Sequence, residues 1–302
     1  DYKKSLSLTK NELLLNNNSE FSFQLISELI KKGELLNTSD KDSRDLLSNI
    51  LNRKDISHRE LFGNINSIVS KEILEKLSVL ESDLYSNYEF NILIKDKELV
   101  KALSLLIFCS PLWEKVLRNI RKNILMSYSD KDKISNKFLN FTIGLGSQCF
   151  LNEYVYYISS EEKNKLQEIK QTINNNNNED QDYKLALISC YQSLSSINNE
   201  RINLNTYVSS NKEFNDLLDL QFKELNDEKL ISKGIKKIGN IKDSISKEVK
   251  NQYETNPYPR WRYNSYAMGN KLNFLSVINS EIYPNTIKGN QIKLIDRKLN
   301  IL

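Results

Sequence analysis

Eight glycines and four prolines in 302 residues restrict what this chain can fold into more than any other feature. A many-stranded β protein needs turn chemistry every few residues, and these two residue types supply much of it. Three of the four prolines (Pro257, Pro259 and Pro284) fall in the last fifty residues. The long stretch before them is therefore expected to run as helices, giving an all-α fold.

Apolar periodicity supports this. Residues 21–32 place Phe23, Leu25, Ile26, Leu29 and Ile30 on one stripe, as an amphipathic helix requires. Residues 39–51 and 67–84 read as further amphipathic helices, and 98–109 as a core helix. Thr9-Lys-Asn-Glu12 ahead of three leucines reads as a capping box. Ser110-Pro111 restarts the chain, with Ser as N-cap and Pro at the first helical position. Beyond it Trp113, Val116, Leu117, Ile120 and Ile124 share a face, opposite the solvated Lys115, Arg118 and Lys122. Residues 135–158 read as one long apolar helix. Ser159-Ser-Glu-Glu162 ends it and caps the next, which runs to about Ile173. Asn174–Asn178 is an asparagine run and reads as a loop. Residues 182–194 and 214–225 are helical, and 229–242, with Gly234 and Gly239, is a mildly basic linker. Ile241, Ile245 and Val249 mark one face of a last helix.

The balance of 43 basic and 39 acidic residues, net +4, is too even to imply nucleic acid. No apolar run reaches the ~20 residues that span a bilayer, and no signal peptide is visible, so no membrane partner is expected. Cys109, Cys149 and Cys190 are odd in number and set among apolar residues. They read as buried thiols of a reducing, cytoplasmic compartment.

Most catalytic constellations are excluded. The single histidine, His58, stands in a polar stretch beside Arg59 and Glu60. It cannot make a two-histidine zinc site, and no CxxC pair assists it. There is no nucleophile elbow and no phosphate loop. Residues 138–146 imitate a strand entering a Gly144-Leu-Gly146 nucleotide turn, but no third glycine follows. Glu161 and Glu162, near the distance of a ribose-binding acid, are better read as the first turn of the next helix.

The most distinctive segment is Asn251-Gln-Tyr-Glu-Thr-Asn-Pro-Tyr-Pro-Arg-Trp261. Two prolines fix φ, remove donors and exclude their predecessors from the α region, so Asn256-Pro-Tyr-Pro259 is a rigid extended strap that ends a helix. Tyr253, Tyr258, Arg260 and Trp261 on such a strap fit recognition or docking. They equally fit a helix stop with an aromatic plug.

This segment resembles the one ahead of the catalytic domain in bacterial class I S-adenosylmethionine-dependent methyltransferases, a family often fused to tetratricopeptide repeats. Gln148-Cys-Phe-Leu-Asn-Glu-Tyr-Val-Tyr156 is similar to a helix of the same proteins, and Leu187-Ile-Ser-Cys-Tyr-Gln-Ser-Leu194 more loosely so. The resemblance covers residues about 90–302 and places Gly144 and Gly146 inside a helix, where they allow close packing. No repeat of ~34 residues is present to match the tetratricopeptide part.

Composition and helical periodicity give a helical domain over residues 1–228, divisible into 1–95 and 96–228, and the resemblance, from about residue 90 on, implies what comes after it. A linker, helix and strap over 229–290 follow, and 291–302 opens a Rossmann-like domain. Leu299-Asn-Ile-Leu302 would be that domain's first strand, with the glycine turn of the cofactor site expected just beyond. The chain is thus expected to be the non-catalytic portion of a methyltransferase, presenting substrate or a protein partner and docking on its own catalytic domain. S-adenosylmethionine belongs to the whole protein and not to these residues. Asn256 and its neighbours would then lie near the cofactor pocket or the domain interface. As a lid, the strap would pack Tyr253, Tyr258 and Trp261 near the cationic sulfonium, which favours aromatic faces, and pair Arg260 with a carboxylate. As a weld, the same residues would only join two domains. The alternative function is a helical interaction scaffold with no enzyme attached.

Overall fold

In the computed structural model, the described residues run from 1 to 255 except 17–18, 55–57, 82–83, 130–134, 175–178, 198–201, 237–240 and 242. Beyond Thr255 they are 279, 282, 284–286 and 288. Among them there is no β-strand, and helices carry the structure. The all-α expectation holds for this part of the chain; residues 291–302, with the expected Rossmann-like strand, lie outside the described residues.

The helices are α1 (Tyr2–Leu15), α2 (Glu20–Lys31), α3 (Lys41–Asn52), α4 (Phe62–Asn66), α5 (Lys71–Ser78), α6 (Tyr88–Lys95) and α7 (Lys97–Leu103). After Pro111 come α8 (Pro111–Ser127), α9 (Asn136–Leu151), α10 (Ser160–Thr172), α11 (Glu179–Ser189), α12 (Lys212–Leu218), α13 (Glu224–Gly234) and α14 (Ser244–Thr255). A π-helical turn, Asp219–Lys223, fuses α12 to α13. Side-chain caps start many of them: Ser19, Asp40, Ser70, Asn87, Asp96 and Ser135 each accept an amide of the first turn. These bonds satisfy donors a helix start leaves open.

The first helix begins eight residues earlier than the Thr9 box predicts. Asp1 caps it, accepting the Lys4 amide at 3.1 Å, and Thr9 instead donates to the Ser5 carbonyl at 2.8 Å from mid-helix. Helix α5 is shorter than its apolar pattern. At and just beyond its end, the carbonyls of Leu77 and Leu80 both accept the side-chain amide of Asn119 on α8, at 2.9 and 2.8 Å. Helix α7 stops at Leu103, and the chain then buries Leu106 and Phe108 without helical geometry; the Phe108 amide goes to Gln148 Oε1 at 3.1 Å. At the other end α13 runs on to Gly234, into what reads as linker.

A continuous hydrophobic core extends from Leu6 to Phe222. It joins both sides of residue 95: α5 lies on α8, α3 on α7 and α6 on α9, and Arg44 of α3 pairs with Asp96 and Glu98. At its centre α9 is buried at every position from Phe141 to Phe150, as a helix apolar all round should be. Gly144 and Gly146 make that possible. A Cβ on Gly144 would sit 3.0 Å from the Val100 carbonyl, and one on Gly146 only 2.0 Å from Ser189 Oγ of α11. The GxG is therefore a packing device inside a helix.

His58, although its sequence neighbours are polar, is buried, 2% exposed, with Nε2 3.2 Å from the Ile50 carbonyl of α3. One sequence expectation is corrected. Cys109 is exposed while Cys149 and Cys190 are buried, and all three are free thiols. Cys109 leaves the core because α7 has already ended.

Candidate functional site

A buried polar cluster gathers around Arg121. It lies on the inner face of α8, four residues after Leu117 and three before Ile124, so the helix turns it into the core. Its side chain is fully buried. Nη2 donates to the Tyr157 carbonyl at 2.6 Å and lies 3.5 Å from Glu162 Oε1. The guanidinium carbon sits 4.3 Å from the ring centroid of Tyr191 and 5.6 Å from that of Tyr156. Nε and Nη1 have no hydrogen-bond acceptor. The two aromatic faces therefore carry part of the cation's desolvation cost.

Glu162 binds the parts together. Its Oε2 accepts the Ser159 amide at 2.8 Å, closing the capping box read from the sequence. Its Oε1 accepts the Tyr191 hydroxyl at 2.8 Å. Burial pushes the Tyr191 and Tyr156 hydroxyls up in pKa, and burial likewise pushes up the Cys190 thiol. None is ionised near neutrality, so none is an activated nucleophile.

The cluster fastens a strained loop. Helix α9 ends at Leu151, seven residues before the 135–158 pattern predicts, and Glu153 and Tyr154 both turn left-handed, with φ of 58° and 55°. Consecutive left-handed residues with side chains are unfavourable. They are held by the Tyr154 amide bonding the Cys149 carbonyl at 2.8 Å and by Arg121 gripping Tyr157. Beyond the turn the chain alternates: Tyr156 is buried at 5% exposure, while Val155 and Tyr157 are 68% and 72% exposed. The interior thus anchors a loop that presents two large apolar side chains to solvent.

The two internal segments that carry the resemblance, 148–156 and 187–194, meet here. Tyr156 of the first and Tyr191 of the second both face the Arg121 guanidinium. Just upstream, Ser189 packs on Gly146, and Cys190 Sγ lies 3.6 Å from the Thr142 carbonyl. Gln221 of the π-turn, buried, donates to the carbonyls of Gly146 and Ser189 at 2.9 and 3.3 Å and accepts the Leu194 amide at 3.3 Å. Sequence reasoning did not find Arg121, Glu162 or Gln221 as a group. For Arg121, its place on the apolar face of α8 was a usable signal; for Gln221 there was none.

Of the strap residues, Tyr253 closes α14 and is 58% exposed, while Asn256, Tyr258, Arg260 and Trp261 lie outside the described residues. Among the described residues no group of His, Cys, Asp and Glu could hold a metal ion. A crevice between α2, α3 and the 58–61 turn, lined by Phe23, Ile26, Ile30, Ile50, Glu60 and Leu61, has room for only about 10 Å³, far below the roughly 300–1,000 Å³ of small-molecule sites. No strand with a glycine turn is present among them to receive an adenosyl group. Compared with protein-family models, curated proteins and solved structures, the chain has no match in any of the three.

Proposed function

We propose that this chain is the non-catalytic, partner-presenting helical module of an S-adenosylmethionine-dependent methyltransferase. The observation that carries the presenting role is the Arg121 clamp. A buried cation and two left-handed residues are used to hold Val155 and Tyr157 outward, and strain of this kind concentrates at functional positions. A large aromatic beside a β-branched residue on a rigid backbone is suited to anchoring a protein surface. The methyltransferase part rests on the Asn251–Trp261, 148–156 and 187–194 motifs. The cofactor would be bound by residues other than the described helices, so no catalytic step is assigned to this chain.

Titration of the full-length protein with S-adenosylmethionine tests the enzymatic part. Absence of binding leaves the alternative, a helical scaffold with no enzyme attached. The presenting role is tested by Val155→Ser with Tyr157→Ser in the same protein. Loss of methyl transfer to a protein acceptor at unchanged cofactor affinity is the expected result. Unchanged transfer removes the loop from the function. In the same protein, Arg260→Ala or Trp261→Ala with unaltered cofactor affinity and turnover would eliminate the lid role of the strap.

A further inference from the structure

No further inference is drawn: the strongest candidate, the exposed apolar stripe of Ile245, Val249 and Tyr253 on helix α14, carries none, because nothing in the structure shows what covers it.

Discussion

Arg121→Met removes the cation at the centre of the clamp while keeping side-chain volume. In the parent, three interactions hold that cation: a 2.6 Å bond to the Tyr157 carbonyl, Glu162 Oε1 at 3.5 Å and the Tyr191 ring at 4.3 Å. A hydrogen bond to a charged donor is worth about 1.5–3 kcal/mol, and a desolvated cation–π contact about 2 kcal/mol. Removing one partner of a buried pair typically costs about 3–5 kcal/mol, much of it from the charge left behind. We therefore expect Arg121→Met to destabilise the chain by about 3–5 kcal/mol in urea denaturation at neutral pH. Glu162→Gln alone should also destabilise, because it leaves Arg121 with the carbonyl and the rings only. The double variant decides the reasoning. If the charges are coupled, Arg121→Met with Glu162→Gln is less destabilised than the sum of the singles by about 1–3 kcal/mol. Additivity within ~0.5 kcal/mol would show that the 3.5 Å pair is not coupled. The rings and the Tyr157 carbonyl would then hold the guanidinium alone. Hydrogen exchange of the 155–159 amides should quicken in Arg121→Met well before α9 opens, since the clamp is that loop's interior anchor.

Gly146→Ala should cost about 1–3 kcal/mol from overpacking, and adding Ser189→Ala should recover part of it by removing the hydroxyl 2.0 Å from the new Cβ; a neutral Gly146→Ala melt would contradict the observed helix spacing. Glu153→Gly, at φ 58°, should raise stability by up to about 1 kcal/mol by relieving left-handed strain, measured as a higher urea midpoint. The hydrogen bond from Lys10 to Asp40 holds that carboxyl down at about 2. This depressed pKa adds stability above the ordinary aspartate value of ~3.9 and loses it as pH falls through about 2, so Lys10→Met should flatten the stability profile across that window.

How much could be read beforehand depended on how local the cause was. The apolar part of the α8 face was legible, because Trp113, Val116, Leu117, Ile120 and Ile124 repeat at helical spacing and all prove buried. The Ser159–Glu162 box was legible for the same reason, since both its bonds lie within four residues. The end of α9 was not. Val155, Tyr156 and Ile158 continue an apolar pattern. The left-handed turn at Glu153, closed by the Tyr154 amide on the Cys149 carbonyl, is announced by no glycine or asparagine at the two left-handed positions. The anchor beyond it, Arg121 on the Tyr157 carbonyl, lies 36 residues away in the sequence. Thr9 failed in the opposite direction: its local pattern was sound, but Asp1 supplied an earlier cap. Gln221 shows the limit most plainly, because nothing near it foretells bonds to carbonyls 75 and 32 residues away.

That last separation has a consequence for how the chain is made. Helix α9 is apolar all round, and its outer layer includes α11, α12 and the π-turn, all of which follow it in the chain. On the ribosome, at roughly 5–20 residues per second, the 75 residues between Gly146 and Gln221 take about 4–15 s to appear. Through that interval the helix that will become the driest part of the protein has only the earlier helices to shelter it. Newborn copies of this chain are therefore expected to need holding by chaperones until Gln221 has been synthesised. Synonymous changes that slow translation between codons 150 and 220 should increase aggregation without altering a single residue.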